Sequence, residues 1–132
     1  MFTGATAFNQ NISAWNTASV TDMAYMFNGA TAFNQDISAW NTASVTNMDY
    51  MFAYASTFNQ DITVWDSSSV SSSSNMFQNA TAWLAGYKRI DNSTSVDGPA
   101  SNWSKIPPTP SGTSSLTRTL SFAVVFGALA LV

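Results

Sequence analysis

A repeat of 25 residues constrains this chain more than any other feature of its 132 residues. Met-Phe pairs begin at residues 1, 26, 51 and 76, and other columns keep the same phase. These columns hold Phe8, Phe33, Phe58 and Trp83; Ile12, Ile37 and Ile62; Trp15, Trp40 and Trp65; and Val20, Val45 and Val70. One unit of this size cannot bury its apolar side chains alone, so we expect successive units to stack with each side chain on its copy.

Each unit predicts a strand-like stretch, a turn and a short helical stretch. Residues 34–40 are short and alternate enough for a strand, and residues 41–44 have the composition of a turn. From Val45 to Ala55 the apolar residues are spaced as on one face of an α or 3-10 helix. The fold predicted from this pattern is an α/β repeat solenoid of short parallel strands and short helical or 3-10 segments.

The second unit also carries a recognisable motif. Its residues are Met26-Phe27, Phe33-Asn34-Gln35-Asp36-Ile37-Ser38, Trp40-Asn41-Thr42, Val45-Thr46, Met48 and Met51. They resemble the repeat of BspA-like leucine-rich-repeat surface proteins, in the variant of mycoplasma-type lipoproteins and some microbial eukaryotes. The resemblance covers residues 1 to about 87 and weakens where serines occupy residues 71–74 and Trp83-Leu84 replaces Phe-Asn. It implies a right-handed, leucine-rich-repeat-like solenoid, surface display, and interaction with host or neighbouring-cell molecules.

Composition divides the chain after the repeats. The predicted regions are repeats over 1–87 (units 1–25, 26–50, 51–75 and a partial unit 76–87), a linker or stalk over 88–118, and a hydrophobic tail over 119–132. The stalk is rich in Ser, Thr and Pro and is expected to be disordered, because it has too little apolar surface to bury. Since Met1 already stands at the Met-Phe position, we also expect a fragment of a longer protein, with self-association possible through uncapped repeat ends.

The tail predicts attachment to a membrane. Leu120 to Val132 are 13 mostly apolar residues, short of the ~20 that a helix needs to span a bilayer. A GPI-attachment signal fits, with attachment within residues 111–115. A tail-anchored or truncated transmembrane helix, or a buried helix or strand, are the alternatives. Asn92 and Asn102 begin Asn-x-Ser/Thr triplets and are candidate glycosylation sites in a secreted protein.

Composition also excludes several classes of function. Four Lys or Arg stand against seven Asp, with a formal net charge of −3, so no basic patch is available for nucleic acid. The chain has neither Cys nor His. Their joint absence argues against zinc sites of the usual type, against Ser-His-Asp or Cys-His catalysis, and against a cofactor. We therefore expect a protein that is not an enzyme.

Four columns have both a chemical and a structural interpretation. Asp36 and Asp61 could form an acid–base pair or a calcium site, but solvated carboxylates are the better interpretation, since no third acidic column converges on them. The Met columns suit soft metals, yet their phase favours core packing. The Trp column is assigned to core or edge packing, with a carbohydrate-binding ladder as the alternative. An inward Asn column (Asn9, Asn34, Asn59) is expected to form an amide ladder, with solvent-facing turns as the alternative.

Recognition of a partner is the leading functional prediction. The candidate binding face consists of exposed strand residues, namely Gln35, Ser38, Asn41, Gln60 and Thr63. The expected partner is an extracellular protein or glycan. A passive structural spacer or coat element is the alternative. An ice-binding solenoid is a remote one, because the Thr columns lack flat, doubled rows.

Overall fold

The repeat units fold into stacked layers of tight turns. A computed structural model describes residues 1–109. Within a unit, an amide repeatedly donates a hydrogen bond to the carbonyl three residues earlier. In the second unit these donors are Ala30, Phe33, Trp40 and Val45, at 2.9–3.1 Å. Such turns give each layer its shape.

Backbone hydrogen bonds join each layer to the next. The amides of Met23, Tyr25, Phe27 and Gly29 donate to the carbonyls 24 residues later, at 2.8–2.9 Å. The amides of Met48, Tyr50, Phe52 and Tyr54 repeat this pattern at 2.7–2.9 Å. Isolated parallel bridges link Asp22 to Asn47 and Asn47 to Ser72. The layers are therefore held in a register of 25 residues.

Side chains of one column lie on one another in the core. The Phe33 ring centroid is 5.7 Å from that of Phe8 and 5.9 Å from that of Phe58, with interplanar angles of 12° and 3°. The predicted stacking of like on like is confirmed by these contacts. Most methionines of the two Met columns are also buried, as the core interpretation predicted; they are Met23, Met48, Met51 and Met76.

The predicted α/β, leucine-rich-repeat-like solenoid is wrong. The helices and strands of the described residues are α1 (Thr81–Gly86), β1 (Tyr87–Arg89), a 3-10 turn (Ala100–Asn102) and β2 (Trp103–Lys105). The sheet they form is two-stranded and antiparallel, with Tyr87 opposite Lys105 and Arg89 opposite Trp103. Residues 34–40, predicted as a strand, are irregular with one turn, and residues 45–55, predicted as helical, are turns that carry the backbone bonds between layers.

Local side-chain and backbone chemistry explains both errors. In the predicted strand, the Asp36 carboxylate accepts the Ser38 amide at 2.9 Å and so withdraws that donor from strand pairing. In the predicted helical stretch, Tyr50 and Tyr54 have φ values of 54° and 60°. A right-handed helix cannot continue through residues in this left-handed region. The apolar spacing that suggested a helix is produced by successive turns instead.

Residues 87–105 cover the last repeat layer, and we call them the capping segment. The Phe77 amide donates to the Val96 carbonyl, and the Gly98 amide donates to the Ser73 carbonyl, both at 2.9 Å. These bonds take the place of those that a further unit would make. A Cβ at Gly98 would collide with the sulfur of Met76, so glycine lets the segment lie directly against the layer.

Aromatic rings complete this end of the core. The Trp83 ring lies between those of Phe77 and Tyr87, at centroid distances of 4.4 and 3.9 Å. Trp103 meets the Phe77 ring edge-on at 5.3 Å and is buried. The prediction of disorder is therefore wrong for the part of the predicted stalk that pairs in this sheet. Residues 110–118 of the stalk and the tail over 119–132 lie outside the described residues.

Candidate functional site

A ladder of amides runs along one side of the layers. The Asn34 amide and the Gln35 Nε2 both donate to the Asn9 Oδ1 at 2.9 Å. Asn59 and Gln60 make the same two bonds to the Asn34 Oδ1, at 2.9 and 3.1 Å. The predicted ladder is confirmed by these bonds, but its asparagines are exposed and do not point inward. It links the layers at the surface.

The predicted binding residues fall into three columns beside this ladder, and we call them the amide face. Gln35 and Gln60 share one column and Ser38 and Thr63 a second, and all four are half-buried. Asn41, in the third column, is exposed, and its Oδ1 accepts the Ala43 amide at 3.1 Å. The two glutamine Nε2 groups donate to the ladder. Each column thus carries polar side chains at or near the surface.

The carboxylates on this face close turns. The Asp36 Oδ1 accepts the Ser38 amide at 2.9 Å, and the Asp61 Oδ1 accepts the Thr63 amide at 3.1 Å. Hydrogen bonds from the Ser38 hydroxyl and then its amide hold the pKa of Asp36 below its ordinary value. Within the described residues no group of three His, Cys, Asp or Glu side chains could hold a metal ion. The geometry thus favours the interpretation as solvated carboxylates.

The tryptophan column belongs to the core. Trp40 and Trp65 are 4% and 3% exposed, and their rings stack 6.4 Å apart, centroid to centroid. Each indole nitrogen donates to a carbonyl of the preceding layer, Trp40 to Ile12 and Trp65 to Ile37, both at 3.1 Å. The predicted core packing is confirmed for these two. Trp15, in the first layer, is 43% exposed and borders a groove of about 590 Å³ with Val20 and Met23.

Three tyrosines project from the stretch that carries the backbone bonds between layers, and we call them the tyrosine face. Tyr25 and Tyr54 are 48% and 47% exposed, and Tyr50 is half-buried. The rings of Tyr25 and Tyr50 stack at 5.0 Å with an interplanar angle of 8°. All three have φ values of 54–60°, a conformation that a bulky side chain rarely adopts.

The column that contains Tyr54 is open on one side. In the two preceding layers that column holds Gly4 and Gly29, which have the same left-handed backbone. A Cβ built on Gly29 would meet only backbone atoms of Gly4 within 4 Å, at 3.5 Å. Bare backbone therefore precedes the Tyr54 ring along its column, so no side chain of that column covers this side of the ring.

Two aspartates, Asp22 and Asp49, lie near the tyrosine face in the sequence. Asp22 is exposed three residues before Tyr25, and Asp49 directly precedes Tyr50. The Tyr25 amide donates to the Asp49 backbone carbonyl at 2.9 Å, so the Asp49 backbone lies beside Tyr25 as well. The Asp49 Oδ1 accepts the Ser72 hydroxyl and the Ser74 amide of the next layer, at 2.6 and 2.7 Å. Sequence reasoning missed this face because its tyrosines do not recur in every unit. Tyrosine where two earlier units have glycine was the available signal.

Comparison with known families assigns most of the chain to one family. A family model described as "Mycoplasma protein of unknown function, DUF285" matches residues 1–103. The chain belongs to this family. The match includes all the repeat units of this DUF285 chain and ends in β2, so it covers most of the capping segment as well. It agrees with the mycoplasma-type resemblance of the repeat. Searches of curated proteins and of solved structures gave no match.

The candidate glycosylation sites of the DUF285 chain lie on the capping segment. Asn92 is exposed in the loop after β1, with φ of 58°, and Asn102 is exposed at the end of the 3-10 turn. Asn102 also borders a groove of about 290 Å³ with Arg89 and Asp91. Among the described residues, no helix is long and apolar enough to cross a bilayer. The proposed attachment residues 111–115 are not among them.

Proposed function

We propose that this DUF285 chain is the recognition region of a BspA-like surface protein and binds an extracellular protein or glycan. The observation that carries the proposal is the amide face, where polar groups recur in register on successive layers. Gln35 and Gln60 repeat one hydrogen-bonding pattern, and Ser38 and Thr63 repeat another. A partner with its own repeating polar groups could contact several layers at once.

The amide face is held in place before any partner arrives. Its turns are closed by side-chain oxygens, as in the bond from the Ala43 amide to Asn41, and its layers are joined through Asn34. Binding then orders few additional groups, which reduces its entropic cost. This rigidity supports recognition and is equally compatible with adhesion through many weak contacts.

The proposed setting is the cell surface. Residues 119–132 direct the chain to a membrane, either as a GPI signal that is replaced by the lipid within residues 111–115 or as a membrane anchor, with the repeats outside the cell. The role is non-catalytic, because the chain has no His or Cys and its carboxylates on the amide face close turns. Asn92 and Asn102 lie on the capping segment, so a glycan on either would not be attached to a residue of the amide face.

Binding of the full 132-residue chain to a panel of extracellular-matrix proteins and glycans tests the proposal. We expect saturable binding to at least one member. Asn41→Asp should weaken this binding, because the variant adds a charge to the amide face. The turn should be kept, since Asp66 in the same column closes its own turn by accepting the Ser68 amide. Asn92→Asp, on the capping segment, is the matched control and should bind as the unchanged chain does. A chain that binds nothing saturably would favour a structural spacer.

A further inference from the structure

We propose that the tyrosine face binds an arginine-containing peptide segment of a partner protein. The inference goes beyond the proposed function, because the tyrosine face lies on other columns than the amide face. The site consists of Tyr25, Tyr50 and Tyr54, with Asp22 and Asp49 beside them. Aromatic faces next to carboxylates are the surroundings that a planar guanidinium group prefers, since it stacks on the ring and pairs with the acid.

Charge selects a cationic occupant over the alternatives. Residues 1–87 contain five aspartates and no Lys or Arg. A surface of this kind repels anionic glycans and anionic lipid head groups and attracts basic peptides. Arg89, which follows the repeats, forms an ion pair with Asp91 on the capping segment. The repeats themselves place no Lys or Arg side chain beside the tyrosines.

Backbone geometry does not require tyrosine at these positions. Gly29 occupies the Tyr54 column without strain, and Asn75 occupies the column of Tyr25 and Tyr50 with φ of 51°. Glycine or asparagine would therefore satisfy the fold at all three positions. All three tyrosines keep a conformation that costs stability. Tyr50 is half-buried and its hydroxyl accepts the Asn75 side-chain amide at 3.0 Å, whereas the rings of Tyr25 and Tyr54 are 48% and 47% exposed and gain less from burial. Contact with a ligand accounts for the two exposed rings.

The spacing suits one extended peptide. Tyr50 and Tyr54 are four residues apart, so their Cα atoms are separated by at most about 14 Å. Tyr25 stacks on Tyr50 in the adjoining layer. An eight-residue peptide reaches roughly 26 Å when extended and can pass over both positions. Arginines on such a peptide would stack on the open side of Tyr54 and on the exposed ring of Tyr25.

The test measures binding of a fluorescent eight-residue arginine peptide to the full chain by anisotropy. The key variant is Tyr25→Asn/Tyr50→Asn/Tyr54→Gly, which leaves every charge unchanged and uses residues found in the same columns. We expect it to weaken binding about eightfold or more, from about two- to fivefold for each tyrosine. Tyr54→Gly alone should weaken binding about two- to fivefold, and it keeps the test decisive if the triple variant fails to fold.

Controls separate this site from general attraction between charges. Val64→Ala removes an exposed apolar side chain elsewhere and should leave the affinity unchanged. Equal binding of the arginine peptide to the unchanged chain and to Tyr54→Gly would overturn the inference. Tyrosine-dependent binding of the neutral sugar maltoheptaose, with no tyrosine-dependent binding of the peptide, would also overturn it. Saturable panel binding that Asn41→Asp weakens would leave the proposed function standing even where the peptide result overturns this inference.

Discussion

Left-handed backbone conformations recur at two positions of each unit. One column holds Tyr25, Tyr50 and Asn75, and the other holds Gly4, Gly29, Tyr54 and Asn79. Glycine and asparagine tolerate this conformation, whereas other side chains bring Cβ close to the following carbonyl oxygen. These residues end each local turn and prevent a helix from forming. The choice of residue at the two columns therefore sets both the fold and the exposed chemistry.

Gly29→Ala tests this conformational requirement. The new Cβ would lie at ordinary contact distance from Gly4, so the cost is conformational and not a clash. We expect the free energy of unfolding in urea to fall by about 1 kcal/mol. Gly29→Asn is the matched control, since Asn79 has φ of 53° in the same column. Its free energy of unfolding should fall by much less. Equal losses for both variants would contradict the explanation.

Asp91 is the residue whose protonation depends most clearly on its surroundings. The Arg89 side chain donates to its carboxylate at 2.8 Å and, with the Ser93 amide, lowers the pKa of Asp91 to about 2. A carboxyl group whose pKa is lower in the folded state stabilises the fold above its ordinary pKa. That contribution is lost as the pH falls from about 4 to 2.

The titration of Asp91 can be followed directly through its carboxyl ¹³C chemical shift. We expect a midpoint of about 2 in the unchanged chain. Arg89→Gln should move the midpoint up towards the ordinary aspartate value of about 3.9, because the charged donor is gone. A midpoint that is the same in both chains would show that the ion pair does not hold this carboxylate.

At the scale of elements, the amide ladder is a recurring side-chain link between layers. Asn34→Ala removes the acceptor used by the Asn59 amide and by the Gln60 Nε2. We expect the free energy of unfolding to fall by about 1 kcal/mol, since the Asn59 amide loses its partner while the Gln60 Nε2 keeps the Asn34 backbone carbonyl, at 3.0 Å. Asn34→Asp retains the oxygen and should cost much less. Indistinguishable unfolding curves for Asn34→Ala and the unchanged chain would argue against a stabilising ladder.

The capping segment stabilises the last layer through Trp103. Its ring packs against Phe77 and Trp83, and its Nε1 donates to the Asp97 carbonyl at 3.0 Å. Trp103→Ala should lower the free energy of unfolding by about 3 kcal/mol, measured in urea. Ile106→Ala, at a residue 38% exposed just after β2, is the control and should change it by about 0.5 kcal/mol or less.

The sequence predicted which residues meet but not the backbone that brings them together. Column identity was enough to place Phe33 on Phe8 and Asn34 on Asn9, because like residues recur every 25 positions. Strand and helix were assigned from apolar spacing alone. Side chains such as Asp36 bind nearby backbone amides and so favour turns. The spacing of apolar residues does not indicate these bonds.

For the whole molecule, the candidate sites could be predicted only where their residues recur with the repeat. The amide face was predictable since its residues recur in the motif, whereas the capping segment has no repeat to reveal it. Its Trp103 is one apolar residue in a polar stretch, and only the Trp83 and Phe77 rings that it covers explain its burial. The tyrosine face depends on left-handed φ values, which a sequence pattern does not specify for tyrosine.

Neighbouring units stack in register, and this register positions both the amide face and the tyrosine face. Thr46 donates its amide to the Thr21 carbonyl at 2.8 Å, and Ser71 does the same to Thr46. Equivalent residues of adjacent layers should therefore lie within the roughly 4.4–6.8 Å that a disulfide requires between Cα atoms, and residues two layers apart should not. The chain has no cysteine of its own to interfere.

The decisive measurement is the mass of two double-cysteine variants after mild oxidation. Thr21→Cys/Thr46→Cys should lose two hydrogen atoms by forming an intramolecular disulfide while remaining folded. Thr21→Cys/Ser71→Cys should keep two thiols that react with a thiol reagent. Rapid disulfide formation in the second variant, or none in the first, would contradict the stacked register.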